Sequence, residues 1–285
     1  MPIARPLVGS SLYRMDTRTA AARFRTLHQG PQPLLLPNAW DAGSARVIEA
    51  SGAQAIATTS AGLAWARGYA DGYAMPPRFL LATVSEIARV IHLPLSVDME
   101  AGYADELAAI ADNAEALASA GAVGINLEDG KLPPEVLCER IAATKRGAAR
   151  AGVDLFVNAR CDVYLKGLTA PERALEESIS RGLRYQEAGA DGFFLPGLVD
   201  PAAIRQVVAG VKLPLNLLVR AGLARVSELA SLRVRRVSAG SGISSAVHGL
   251  TRRAVRQFLD AGTYDSILDG AMPYAELNAL FGAQS

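Results

Sequence analysis

Residues 105–130 read DELAAIADNAEALASAGAVGINLEDG. In the first part Leu107, Ile110, Ala111, Ala114, Leu117 and Ala118 share one helical stripe, while Asp112 and Glu115 face away from it. The helix this predicts stops at Gly121, a residue suited to a left-handed cap, and an apolar run, AVGINLE, follows at once. The stretch is one helix-and-strand unit of an α/β fold.

The same junction recurs in EASGAQAI (49–56), ARAGVDLF (149–156) and EAGADGFF (187–194). Short apolar runs predict strands at 34–38, 55–60, 94–100, 122–128, 155–162, 192–197, 213–219 and 235–240, separated by alanine-rich segments of helical period. Eight such pairs predict a TIM-type (β/α)8 barrel, where an open doubly wound sheet usually needs fewer strands. MDTRTAAARFRTLHQG (15–30) reads as a helix covering the barrel, and 273–281 as an extra, amphipathic C-terminal helix. No linker or composition shift divides the 285 residues, so one domain is expected.

Lys and Arg number 29 against 28 Asp and Glu, and a net charge of +1 gives no electrostatic reason to expect nucleic acid or an anionic membrane as partner. A small-molecule ligand is the default. The two cysteines, Cys138 and Cys161, form neither a disulfide framework nor a zinc site, which suits a cytoplasmic protein. MPIARPLVGSSLYRMD at the start is a poor signal peptide, and no window approaches the ~20 apolar residues of a membrane span.

In a barrel of this kind the chemistry lies where the strands end. The second predicted strand ends in Thr59, Ser60, Ala61 and Gly62, the third in Asp98 and Glu100, the fourth in Glu128 and Asp129, and the fifth in Arg160 and Asp162. Alternation places Asp98 with Glu100, and Arg160 with Asp162, on the inner face, with Met99 and Cys161 turned toward the helices. Carboxylates gathered in a low-dielectric mouth repel unless a cation holds them, and oxygen ligands without histidine suit Mg2+ or Mn2+. The rival reading is ordinary inward ion pairing, which barrel stability does not require on four successive strand ends.

TTSAGLAWARGYADG (58–72), VDMEAGY (97–103), INLEDG (125–130) and NARCD (158–162), in this order, resemble the isocitrate lyase and phosphoenolpyruvate mutase superfamily. The likeness runs from LPNAWDAGSARVIEASG at Leu36 to the last strand. It implies a barrel that binds a 2-oxo acid or its enolate with Mg2+. Asp98 would be the direct metal ligand, with Asp71, Glu100 and Glu128 on metal-bound waters. Arg160 would stabilise substrate oxygens, and Ser60, Ala61 and Gly62 would hold the pyruvyl carboxylate. Asn38 and Trp40 would line the same pocket. The resemblance also implies a homotetramer, or at least a dimer, exchanging C-terminal helices.

The chain departs from the pattern after the fourth strand. Lyases of the superfamily carry a Lys-Lys-Cys-Gly-His or Lys-Arg-Cys-Gly-His loop there, whereas this chain runs LEDGKLPPEVLCERI (127–141). The mutase and hydrolase branch has a longer insertion and a histidine after the sixth strand, where this sequence has FFLPG (193–197). Cys138 and Cys161 read as buried thiols, and His28, His92 and His248 as packing or surface residues, which leaves Ser60 without a base. VSAGSGISS (237–245) reads as a tight turn into a helix, and the basic pairs of RRVSAG and LTRRAVRQF as solvated faces. Asn216 divides between a substrate contact in the mouth and a core hydrogen bond.

The expected activity is Mg2+-dependent carbon–carbon cleavage of a small 2-oxo or 2-hydroxy acid through an enolate whose charge the metal absorbs. Oxaloacetate decarboxylation and phosphonopyruvate hydrolysis or rearrangement are the alternatives within enzymes. A 2-oxo-acid binding protein without turnover is the alternative outside them.

Overall fold

The apolar runs become parallel strands, and Pro37 divides the first of them. In this computed structural model, which describes residues 16–282, β1 (Leu34–Leu36) ends at the proline and β2 (Asn38–Ala39) resumes beyond it. Proline has no N–H to place in a ladder, so the pairing changes partner there. The other strands are β3 (Ile56–Thr58), β4 (Leu95–Asp98), β5 (Ala122–Glu128), β6 (Phe156–Arg160), β7 (Gly192–Phe194), β8 (Leu215–Leu218) and β9 (Arg236–Ser238). They run β1-β9-β8-β7-β6-β5-β4-β3-β2, every pair parallel. Because β1 and β2 are one run of chain, the two ends of that order meet at Pro37 and the sheet is a nearly closed barrel. The eight expected strands are all present, the first cut in two.

Most strands are shorter than expected, and at β3, β4 and β6 the reasons are local. Thr59 leaves β3 and caps a helix, its hydroxyl accepting from Gly62 N–H, so Ser60, Ala61 and Gly62 form a first helical turn. Asp162 lies beyond β6 at the start of another helix. Glu100 lies beyond β4 with φ +49°, so strand alternation is not what places it beside Asp98.

The helices are α1 (Thr17–Leu27), α2 (Ala42–Ala50), α3 (Ser60–Ala66), α4 (Pro77–Val90), α5 (Leu107–Ala120), α6 (Pro134–Arg150), α7 (Val163–Lys166), α8 (Ala174–Glu187), α9 (Pro201–Gly210), α10 (Val226–Ser231), α11 (Gly242–Arg256), α12 (Asp265–Leu268) and α13 (Tyr274–Gly282). The stripe expected on α5 is the one that packs, with Ile110, Ala111, Ala114, Leu117 and Ala118 buried, while Asp112 and Glu115 reach out to Arg150. Gly52, Gly121, Gly152 and Gly189 all have positive φ at the predicted junctions. Helices α5 and α6 approach so closely that a Cβ on Gly147 would lie 1.9 Å from the Ala111 carbonyl oxygen.

Helix α1 covers the N-terminal end of the barrel as expected. Asp16 caps it, and fully buried Phe24 enters beneath β5 and β6, edge-on to Phe156 at 5.5 Å. At the other terminus α13 lies against α2, where Arg46 Nε donates to the Leu280 carbonyl at 2.8 Å. Residues 1–15, nearly all of the stretch read as a poor signal peptide, lie outside the described residues. Among the described residues no helix is long and apolar enough to cross a membrane.

Candidate active site

The C-terminal mouth gathers Asp98, Glu100, Glu128, Arg160 and Asp162 from β4, β5, β6 and the turns that follow them. Arg160 is held on two sides: Nη1 lies 2.6 Å from Glu128 Oε2 and Nε lies 2.7 Å from Asp162 Oδ1, with Nη2 3.2 Å from Asp162 Oδ2. Burial works against its charge, but Glu128 and Asp162 outweigh burial and keep the guanidinium more firmly protonated than usual. One N–H on Nη1 and one on Nη2 remain for other acceptors. Asp162 is fully buried and also takes Lys166 Nζ at 2.7 Å. Asp129 is bound beneath by Arg181 at 2.8 Å and Tyr185 at 2.7 Å, and accepts the Asp162 N–H at 2.9 Å.

Glu100 and Glu128 carry raised pKa values. Burial, with the fields of Asp98, Glu128 and Asp71, pushes Glu100 up to about 7, against a lowering bond from Tyr103. Burial raises Glu128 as well, despite Arg160. Two tyrosines fix these groups: Tyr73 Oη donates to Glu128 Oε1 at 2.7 Å, and Tyr103 Oη to Glu100 Oε1 at 2.6 Å. The Tyr73 N–H also donates to Glu100 Oε2 at 3.1 Å. Neither tyrosine was singled out in the sequence, though Tyr103 ends one quoted motif and Tyr73 directly follows another, and Lys166 was missed as well. Asp98 is half-buried and tied more loosely, its Oδ2 accepting the Ser60 N–H at 3.3 Å.

A cation fits this donor set. Asp71, Asp98, Glu100, Glu128 and Asp162 face Arg160, Lys166 and the buried Arg236, a formal excess of two negative charges that a cation would offset and that the raised pKa values of Glu100 and Glu128 reflect. Hard oxygen donors with no histidine among them suit Mg2+ or Mn2+. Among the described residues no three Asp, Glu, His or Cys side chains converge closely enough to chelate one ion, so such an ion would keep several waters.

Beside the tyrosines opens a cavity of about 670 Å3 lined by Tyr73, Met75, Tyr103, Leu132, Arg140 and Lys166. The short turn after β5, Asp129 to Leu132, forms part of its wall. Other predicted residues are held by packing and hydrogen bonds of their own. Asn38 is buried, with Nδ2 donating to the Thr58 carbonyl at 2.7 Å and Oδ1 accepting the Gly240 N–H at 2.8 Å, so it ties the barrel seam together. Gly62 is required by packing, since a Cβ there would lie 2.7 Å from Thr59 Cγ2 and 3.0 Å from Trp40 Cβ. Asn216 is fully buried on Ser238, which donates to its Oδ1 at 3.2 Å, so the core reading of this residue is the one its position favours. Of the basic pair at 235–236, Arg236 is not solvated but fully enclosed, because the alternation of β9 turns it and Ser238 inward.

A model of the family described as phosphoenolpyruvate phosphomutase matches residues 24–259. The chain belongs to that family. An uncharacterized protein of Mycobacterium tuberculosis is 36% identical over 260 residues, 90% of this chain and 95% of its own length. An oxaloacetate decarboxylase of Pseudomonas fluorescens is 32% identical over 211 residues, 67% of this chain and 66% of its own. Among solved structures, a candidate phosphonomutase from Burkholderia cenocepacia superposes with a TM-score of 0.80 at 41% identity, covering 84% of this chain and 99% of its own. A 2,3-dimethylmalate lyase, a member of the phosphoenolpyruvate mutase and isocitrate lyase superfamily, gives 0.79 at 25%, covering 92% and 94%. The relatives of this family member thus include an oxaloacetate decarboxylase, a 2,3-dimethylmalate lyase and a candidate phosphonomutase.

Proposed function

We propose that this phosphoenolpyruvate mutase family member cleaves a carbon–carbon bond of a small 2-oxo or 2-hydroxy acid through an enolate. The observation that carries the reading is the part-buried Arg160, clamped between Glu128 and Asp162 with donors left over, inside a cluster of excess negative charge. Bound among Asp98, Glu100 and Glu128, with Asp71 at the rim, Mg2+ or Mn2+ would polarise the oxo group and offset the charge of an enolate.

The chain's own residues supply the rest. The spare N–H groups on Arg160 Nη1 and Nη2 face the oxygen on which negative charge grows, and the two carboxylates that hold the guanidinium fix its direction beforehand. Ser60 orients Asp98 through its N–H, while Tyr73 and Tyr103 orient Glu128 and Glu100. The 670 Å3 cavity is larger than a pyruvyl group needs and takes the remainder of the substrate. With no loop cysteine after β5, solvent protonates the enolate, which makes decarboxylation of oxaloacetate the simplest case.

The test is a panel of oxaloacetate, isocitrate, methylisocitrate, substituted malates and phosphonopyruvate with Mg2+, following pyruvate, glyoxylate, succinate and phosphate. Turnover of a carboxylic acid that falls about 10²- to 10³-fold in Asp98→Ala is expected, the size of a lost charge-stabilising group. Phosphate release from phosphonopyruvate alone would move the reading to carbon–phosphorus chemistry, and oxo-acid binding without turnover would leave a binding protein.

Self-association belongs to the same reading. The C-terminal segment exposes Phe258, Leu259, Tyr264, Leu268 and Tyr274, with Leu259 72% and Tyr274 83% exposed. Exposed apolar side chains gathered in one segment of the chain are what a second copy would cover.

A further inference from the structure

Among the described residues Arg236 is the largest fully enclosed side chain, at 0% exposure, and it lies inside the barrel. Its Nε donates to Ser238 Oγ at 3.0 Å and its Nη2 to Asn126 Oδ1 at 3.2 Å, while Nη1 has no partner. No carboxylate of the described residues pairs with it directly. The fully buried Asn216, in register with Arg236 on β8, likewise leaves its Nδ2 unpartnered. Barrel interiors are ordinarily layers of branched apolar residues, and an enclosed charge without a counterion is costly where an apolar side chain would stabilise.

The guanidinium is aimed at the mouth. Its Nε bond to a residue two further along β9 carries it toward the C-terminal ends of the strands. Asn126, which also accepts from Asn158 Nδ2 at 2.9 Å, is the register partner of Asp98. Burial pulls the group down to about 9, which leaves it charged at neutral pH, and Asp98 is the carboxylate whose field opposes that fall. Below, the same positive charge disfavours protonation of His28.

We propose that Arg236 is a positioning residue, a fixed positive charge sealed under the mouth that acts through Asn126 and Asp98 to favour an anionic ligand over a bare cation. The proposal rests on the oxo-acid reading of the site. It separates from a purely structural peg by sign: removing a charge beneath the site makes the mouth more negative, so affinity for a cation rises as affinity for an anion falls. A peg, once lost, weakens both.

Titration calorimetry of the full chain with Mg2+ alone, and with oxalate at saturating Mg2+, reads the difference directly. Arg236→Met is expected to bind oxalate about tenfold more weakly and Mg2+ alone more tightly, with little dependence on salt because the charge is buried. Its thermal midpoint is expected to equal or exceed that of wild type. Arg236→Lys, which keeps the charge, is expected to stay within about twofold of wild type for both probes. If Arg236→Met does not fold, Arg236→Gln carries the measurement. Parallel loss of both affinities, no change in either, or failure of both neutral variants to fold would overturn the proposal while leaving the oxo-acid site standing. A wild-type chain that binds neither probe would overturn both readings.

Discussion

His28 closes α1 at the end of the barrel opposite Asp98. Its Nδ1 lies 2.7 Å from the Phe24 carbonyl, its ring stacks on Phe156 at 4.2 Å, and only 3% of it is exposed. Burial first, then the charges of Arg236 and Arg25, pushes its pKa from 6.5 down to about 3. The unfolded chain therefore takes up a proton here at a pH where the folded one does not. This residue's contribution to stability is full above about 6.5 and is lost as pH falls toward about 3, at about 1.4 kcal/mol per pH unit for one proton. His28→Phe is expected to flatten the denaturation free energy between pH 6 and 4 by about that slope, measured by urea titration. An unaltered slope would show that His28 is not the group responsible. The sequence left the residue open as a packing or surface histidine, and its stacking on Phe156 decides for packing. That its charge is suppressed depends on Arg236 and Phe156, which no local pattern brings to it.

At the scale of elements, what the sequence reveals is what the chain decides locally. The helical stripe of α5, the glycines at positive φ and the eight apolar runs each follow from neighbours in sequence. The mouth does not. Glu100, Tyr73 and Tyr103 all adopt left-handed φ, at +49°, +69° and +56°, a conformation that non-glycine residues take up only when the surroundings impose it. Strand alternation therefore could not place Glu100, and nothing in the period of the chain marks the two tyrosines that hold the carboxylates. Asn38 was read as a pocket residue because it ends a strand, yet both ends of its amide bond backbone of the strands on either side of the seam. Asn38→Ala is expected to cost about 2 kcal/mol in chemical denaturation by leaving buried backbone groups unpaired, with oxalate affinity unchanged. A loss of oxalate binding without loss of stability would return Asn38 to the site.

For the molecule as a whole, the exposed apolar residues of α12, α13 and the segment before them stand against a surface otherwise well supplied with charge. A double substitution, Leu259→Asp with Leu268→Asp, is expected to reduce the mass measured by light scattering to that of one chain, about 29.9 kDa, without lowering helix content. A wild-type chain already at that mass would remove the case for self-association.

The divided first strand has a consequence during synthesis. Leu34, Leu35 and Leu36 find their ladder partners only in Arg236, Val237 and Ser238, some two hundred residues later. Until the ribosome has released that last strand, β1 is an unpaired apolar edge of the kind that joins other chains. The seam at Pro37 therefore leaves the leading strand of the emerging polypeptide without its ladder until its closing strand arrives.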